Sequence, residues 1–309
     1  MPVISVVTPC YDEEGSLGTF HAEVSRVVEA MPDVEVEFVF VDDGSKDGTL
    51  RAVKELRASD PRVRFVSFSR NFGKEAAILA GLRHATGDYV TLMDADLQDP
   101  PSLLPQMYAA VASAEWDCAA ARRTTRAGES PLRSWLARRF YRLFNSISHV
   151  ELVDGARDFR LMTRQMTDAV LELTEVNRFS KGILSWVGFR TTWIPFENVG
   201  RTVGSSKWSL LSLMRYAIDG IVDFSAAPLA IASTVGFTSC VAALVAAVVI
   251  VVRTTIWGDP VAGWPSLATI VLFLGGMQLF SIGILGEYLS RTYLEAKKRP
   301  AYITRETDS

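Results

Sequence analysis

The chain has 309 residues, 49% of them hydrophobic and 22% charged, with a net charge of −3. This is the composition of a folded protein of one large or two modest domains; it excludes disorder and gives no reason to expect nucleic acid as the main partner. Three scattered cysteines (Cys10, Cys118, Cys240) and three separated histidines (His21, His84, His149) exclude a disulfide framework and a zinc or histidine metal centre, and fit a reducing, cytosolic face.

The chain opens MPVISVVTPCYDEE, an apolar β-branched run with no basic n-region and early acids. It reads as a buried strand over residues 3–8 and not as a signal peptide. Helical spacing follows over 16–30 (Leu17, Phe20, Val24, Val27, Val28), then a buried strand over 36–41 and a helix over 49–58 (Leu50, Val53, Leu56). A strand over Val63–Phe68, a helix over 74–85 and a strand over 89–93 complete the series. Strand–helix alternation at this spacing predicts a parallel sheet wound with helices, whose ligands gather at the carboxyl ends of the strands. The polar segments 9–14, 42–45, 69–74 and 94–99 fall at those ends. Neither G-x-G-x-x-G nor G-x-x-x-x-G-K-S is present, so a dinucleotide or P-loop reading lacks its phosphate cradle.

Of the four segments, Asp94-Ala95-Asp96 is the most informative, followed by Gln98, Asp99 and two prolines. Two carboxylates one residue apart at a strand end can hold a hard divalent cation that keeps positions open for phosphate oxygens, and Gln98 offers a neutral oxygen. Asp99, before Pro100 and Pro101, reads as a helix N-cap. Asp42 and Asp43, at the end of VEFVFV, can accept hydrogen bonds from a base N–H or a ribose hydroxyl, while Gly44, Ser45 and Asp47 can supply a turn and a cap.

Seven arginines (Arg122, Arg123, Arg126, Arg133, Arg138, Arg139, Arg142) fall within a short stretch opposed only by Glu129. Over Pro131–Ile147, Leu132, Trp135, Leu136, Phe140, Leu143, Phe144 and Ile147 follow helical spacing. This helix can lie in a headgroup layer with its basic side bringing cations, Arg138 among them, to a lipid phosphate that Arg122 also faces, or it can pack against the core with a solvated basic face. Residues 208–224 form a second amphipathic candidate.

The mean hydropathy of +0.17 is high for a purely soluble enzyme, and the excess sits in the last third. No charged residue occurs over 224–252 or over 260–286. Each stretch exceeds the ~20 residues a helix needs to cross the bilayer core, which predicts two spans; a buried soluble hairpin is the alternative. Trp257, Gly258, Pro260 and Trp264 suit an interfacial turn. Lys207 and Arg215 before the pair, with Arg291, Lys297, Lys298 and Arg299 after it, place both chain ends in the cytosol by the positive-inside bias.

Taken together, Pro9-x-Tyr11-Asp12-Glu13, VDDGSKDGT, SRNFGKEAA, GDY…MDADLQDPP, DFRLM and RTVGSSKW resemble, in order, the family 2 glycosyltransferases of GT-A fold. The resemblance spans the whole chain and is greatest to the polyprenyl-phosphate branch, which holds the dolichol-phosphate mannose synthases and bactoprenol glucosyltransferases. It implies an α/β fold: a GT-A nucleotide-sugar-binding domain with a mostly parallel sheet over 1–206, an interfacial segment over 207–227, a two-helix transmembrane hairpin over 228–289 (spans near 228–252 and 265–287) and a cytosolic tail over 290–309.

The implied reaction is inverting transfer of a hexose from a nucleotide diphosphate sugar to a polyprenyl phosphate such as undecaprenyl phosphate, with Mg²⁺ or Mn²⁺. UDP-glucose is the expected donor, and GDP-mannose with dolichyl phosphate the alternative. In the resemblance, Pro9, Tyr11, Glu13, Asp42, Arg70, Lys74 and Asp94 line the nucleotide-sugar site. Asp94, Asp96 and Gln98 hold the metal, Arg122, Arg138 and Ser206 face the acceptor phosphate, and Asp96, Asp158, Arg201 and Lys207 serve catalysis. Asp12 departs from the Asn of many relatives. Asp158 is placed near the acceptor, with a structural ion pair to Arg157 or Arg160 as the other reading; a phosphate acceptor needs little deprotonation. A homo-oligomer, a flippase and an outward-facing transferase are implied partners. A processive synthase is disfavoured, because two spans hardly form a channel and no Q-x-x-R-W is present; a membrane-tethered nucleotide-binding protein without turnover is the remaining class.

Overall fold

The computed structural model describes residues 1–124, 131–148, 150–197, 218, 220–257 and 263–308. Its first half follows the predicted alternation: β1 (Val3–Cys10), α1 (Leu17–Glu29), β2 (Glu35–Asp42), α2 (Thr49–Ser59), β3 (Val63–Phe68), α3 (Lys74–His84) and β4 (Tyr89–Leu92). β1 and β2 run one to two residues past their apolar cores because the flanking backbone continues the ladder, as at Cys10 opposite Asp42, while β3 keeps its expected bounds and β4 ends one residue early. A short 3₁₀ turn (Pro101–Leu103) leads into α4 (Leu104–Ala112). There follow β5 (Cys118–Arg123), α5 (Pro131–Ile147), β6 (Ala156–Thr163), α6 (Arg164–Glu172), α7 (Ser180–Trp186) and β7 (Thr191–Phe196). Two long helices, α8 (Ala227–Trp257) and α9 (Trp264–Ala296), precede the last strand, β8 (Thr304–Thr307).

The eight strands form one mixed sheet ordered β7-β5-β6-β4-β1-β2-β3-β8. The β1–β2, β2–β3, β1–β4 and β5–β7 pairs are parallel. β6 lies antiparallel to both β4 and β5, and β8 antiparallel to β3. Side chains alternate across the pleat. Ile4, Val6, Phe38 and Phe40 face Leu17, Phe20 and Val24 of α1, while Val7, Val39 and Val41 face Ala77, Ile78 and Leu82 of α3. Burial on both faces explains why these strands read as continuous apolar runs.

Beneath α1, the Asp60 carboxylate accepts from the Arg62 side chain at 2.8–3.1 Å, from Arg62 N at 2.9 Å and from His21 Nε2 at 2.9 Å. The Arg62 hydrogen bonds outweigh burial and hold its pKa at about 2, below the usual 3.8. A depressed carboxylate contributes stability that is present above its unfolded pKa and fades as pH falls through the folded one. Asp60→Asn is therefore expected to cost about 2 kcal/mol at neutral pH. Thermal unfolding of the two proteins should converge as the pH drops below 3.8 toward 2.

The α5 helix matches its predicted bounds, and its apolar side is divided. Phe144 is buried with Val150, Leu152 and Phe179, and Phe140 and Phe224 pack against that cluster. Leu143, Arg138, Arg139 and Arg142 are exposed. The predicted interfacial segment 208–224 lies mostly outside the described residues.

Both predicted C-terminal apolar stretches are helical, and Ser239 Oγ donates to Met277 Sδ at 3.1 Å between them. Among the described residues one segment, Ala227–Ala246, with a mean hydropathy of 2.0, is long and apolar enough to cross a membrane. Its side chains are exposed in the isolated chain, as a lipid-facing surface requires. At the base of the pair, Tyr288 Oη donates to Ser225 O at 2.6 Å and Arg291 pairs with Asp223. Glu295 accepts from Val176 N at 2.7 Å, which ties α9 to the α6–α7 loop. The region expected to be a tail after residue 290 is instead structured: α9 runs to Ala296, and β8 completes the sheet.

Candidate active site

Parallel pairing of β3, β2, β1 and β4 brings their carboxyl ends to one edge, as predicted. The loops lock to one another there. Asp12 N donates to Ser45 Oγ at 3.1 Å, Lys46 N to Asp12 Oδ1 at 2.9 Å and Glu13 N to Thr49 Oγ1 at 2.8 Å. Asp12 has a left-handed backbone, φ 53°. Asp and Asn tolerate that conformation best among non-glycine residues, and either can accept the Lys46 bond, so the Asp12 departure preserves the loop.

Asp42 is 2% exposed; its carboxylate accepts from Ser45 N at 3.0 Å and from Ser67 Oγ at 2.7 Å. It shapes the turn from within. Asp43 accepts from Phe72 N at 2.6 Å and Gly73 N at 2.9 Å; burial raises its pKa despite these two donors. Gly44, at φ 64°, is the residue this turn requires, since a Cβ there would overlap the Arg70 carbonyl carbon. Pro9 and Tyr11 lie at the mouth of β1, and Glu13 accepts from Ser16 Oγ at 2.8 Å. The Arg70 guanidinium lies 4.0 Å from the centroid of Phe72.

Lys74, at the first turn of α3, joins two of these loops to β6. Its Nζ is 2.8 Å from Asp94 and 2.7 Å from Asp158. Burial opposes the ammonium charge, but the Asp158 and Asp94 carboxylates outweigh it and raise the Lys74 pKa. Conversely, burial works against the Asp158 anion, and Lys74, then Lys181, more than offset it and hold its pKa well below the usual range. Asp158 therefore pairs with Lys74; the structure records no ion pair from it to Arg157 or Arg160, although Arg160 adds positive potential.

Arg157 turns the other way. Its Nε is 2.6 Å from Asp99 Oδ1, and its NH2 donates to Gln98 Oε1 at 3.3 Å. Asp99 makes no helix cap: the cap position falls on Pro100, and the buried carboxylate is the anchor for Arg157 instead. Burial raises the Asp99 pKa in spite of that partner. Leu97 has φ 54°, a costly backbone for a branched residue, and it bends the segment so that Gln98 N donates to Asp96 Oδ1 at 3.2 Å.

Among the described residues no cluster of three or more His, Cys, Asp or Glu is poised around one point. What Asp94, Asp96 and Gln98 present is a hard, all-oxygen donor set on one bent segment. It fits a cation that takes its remaining ligands from a diphosphate.

The antiparallel register places the start of β6 and the end of β5 at this same edge, with Arg122 opposite Ala156. A cavity of about 570 Å³ opens there, and Arg122, Arg123, Arg138 and Trp193 are among its lining residues. The structure thus brings Arg122 and Arg138, both expected at the acceptor phosphate, to one cavity. Arg122 is fixed by donating Nε to Asp154 O at 3.1 Å. Arg201, Ser206 and Lys207 lie outside the described residues.

Three contributors escaped the sequence reading. Lys181 donates to Ala156 O at 3.3 Å and adds positive potential at Asp158. Glu75 accepts from Ser180 N at 3.0 Å and from the Ser180 hydroxyl, which ties α3 to α7; burial raises its pKa to about 7. Arg157 orients Gln98. Glu75 lies inside a motif already singled out and Arg157 immediately before one; nothing local marks Lys181.

An edge of acidic loops able to take a diphosphate and a cation, on a sheet of this order, is the site of a nucleotide-sugar transferase of GT-A fold. The glycosyl transferase family 2 model matches residues 5–171. The chain is 41% identical over 306 residues to the prophage bactoprenol glucosyl transferase homolog of Escherichia coli K12, covering 98% of each. It is 42% identical over 307 residues to the bactoprenol glucosyl transferase of Shigella phage SfV, again covering 98% of each. Among solved structures, the mannosyltransferase PcManGT from Pyrobaculum calidifontis, in complex with GDP-Man and Mn²⁺, superposes with a TM-score of 0.47 at 16% identity, over 93% of this chain and 87% of that one. The chain belongs to glycosyl transferase family 2 and is a glycosyltransferase.

Proposed function

We propose that this enzyme transfers glucose from UDP-glucose to a polyprenyl phosphate, undecaprenyl phosphate in the first instance, at the cytosolic surface of the membrane. The observation that carries the reading is the arginine-lined cavity where β5 ends and β6 begins, on the same sheet edge as Asp94 and Asp96. It offers an anionic acceptor a place next to the donor loops. The near full-length identity to bactoprenol glucosyl transferases supports the lipid acceptor and the glucose.

Asp94, Asp96 and Gln98 would hold Mg²⁺ or Mn²⁺, which when bound offsets the charge growing on the departing diphosphate. Arg122 and Arg138 bind and orient the acceptor phosphate. An acceptor oxygen forms its bond to the anomeric carbon as the bond from that carbon to the donor β-phosphate oxygen breaks. One displacement inverts the anomeric centre, and the nucleoside diphosphate leaves. No strong base is needed, because a phosphate monoester with a second pKa of about 6 is already ionised. A carboxylate held as low as Asp158 is a poor proton acceptor, so its role is to fix Lys74 and order the acceptor side.

The membrane arrangement in this reading is a hairpin of α8 and α9. Its support is topological. The chain leaves the sheet domain for α8 and returns after α9 to pair β8 with β3. An odd number of crossings would put β8 on the wrong side of the bilayer.

The test is a donor panel on the full chain in detergent with undecaprenyl phosphate and Mn²⁺ or Mg²⁺, reading lipid-linked sugar by mass spectrometry. Product from UDP-glucose, lost on chelation and restored by either cation, is expected. Product from GDP-mannose alone would replace the donor assignment. Nucleotide binding without lipid product from any donor would remove the transfer reaction proposed here.

A further inference from the structure

The C-terminal strand begins beside the donor loops. β8 pairs with β3, and Ser69 N, the first residue after β3, donates to Ile303 O at 3.0 Å. Tyr302 stacks on Phe68, with centroids 4.8 Å apart and planes 16° from parallel. Phe68 meets Phe72 edge-on at 5.7 Å, and Phe72 carries the Arg70 guanidinium at 4.0 Å. An unbroken aromatic file therefore runs from the tail, through the last residue of β3, to the cation of the loop spanning 69–73. The backbone of that loop is gripped on its other side by Asp43, through Phe72 N and Gly73 N. Charge pairs hold the strand down: Glu306 lies 2.5 Å from Lys54, and Asp308 lies 3.7 Å from Arg64.

The geometry points to Tyr302 and Ile303 as positioning residues for donor binding: the tail strap sets the conformation of the 69–73 loop and so the placement of Arg70 at the nucleotide. The inference rests on the transferase reading and adds to it. A strand that merely covers the edge of β3 would need neither the stacked ring nor the bond to Ser69.

The experiment uses the full chain in detergent with Mn²⁺ and measures UDP affinity by calorimetry beside donor and acceptor KM. Tyr302→Ala is expected to weaken UDP binding and raise the donor KM about five- to tenfold, the loss of one aromatic stack. Its kcat and acceptor KM should stay within about twofold, while Tyr302→Phe, which keeps the ring, should restore UDP affinity. Tyr302→Leu, which fills the space without stacking, gives the same answer should the alanine variant fail to fold. UDP affinity equal to wild type in folded Ala and Leu variants of an active enzyme overturns the strap and leaves the transferase reading intact. A wild-type protein that neither binds UDP nor turns over removes both.

Discussion

Replacing Asp96 with alanine is expected to lower kcat by more than about 10³-fold while the protein keeps its fold and its thermal transition. Asp96 lies on Leu97's bent segment, where its Oδ1 accepts from Gln98 N. It is half-buried and not a core side chain, so its removal opens no core cavity. What it removes is one of two carboxylates able to hold a cation against the leaving diphosphate. That interaction grows in the transition state, so the loss falls on kcat more than on binding. The measurement is single-turnover transfer from UDP-glucose to undecaprenyl phosphate. Transfer within about tenfold of wild type would place the cation elsewhere.

The second large effect is expected at Lys74. Its ammonium lies between Asp94 and Asp158, so Lys74→Met leaves two carboxylates of like charge facing one another without their bridge. All three side chains are about a third exposed to the cleft, which discounts the full penalty for breaking a buried pair. A stability loss of about 1–3 kcal/mol follows. Activity should fall further, by about 10²–10³-fold in kcat/KM, because the donor loops and β6 lose their common anchor. Asp158→Asn should behave similarly. The decisive result is the double variant: if the pair works as a unit, it will be no slower than the poorer single. Losses that multiply would mean that each residue acts alone.

Parts of this site were legible in the sequence, and the reason differs from part to part. β1 to β4 announce themselves because each is buried on both faces and must be apolar. Their polar ends then mark the loops, so the placement of Asp42, Lys74, Asp94 and Asp96 on one sheet edge was legible by position. β5 (Cys118–Arg123) and β6 (Ala156–Thr163) carry alanines and arginines, since one is packed by small residues and the other delivers Asp158 and Arg157 to the site. β8 is Thr-Arg-Glu-Thr, with no apolar residue, and is a strand only because the β3 edge gives its backbone a partner. The reading of Asp99 failed for a related reason: an acid before two prolines looks like a cap, and only the fold brings Arg157 to it. Glu75 and Ser180 meet across 105 residues, so no local pattern could have announced their contact. Of the arginine run, Arg122 and Arg138 were singled out in the sequence and line one cavity; that Arg123 joins them follows from the β5–β6 register, which no local pattern shows.

The position of β8 also bears on how the molecule is made. The strand that closes the sheet is the last to be synthesised, and its partner β3 is complete more than two hundred residues earlier, Phe65 N binding Asp308 across 243 positions. During translation, then, the sheet waits with one edge unpaired while α8 and α9 are still being made. An open edge is a template for pairing with other chains, and contacts this distant in sequence form late. The two long helices are therefore made before the sheet is completed. A nascent chain delayed at this stage is exposed to aggregation through β3 for as long as the delay lasts.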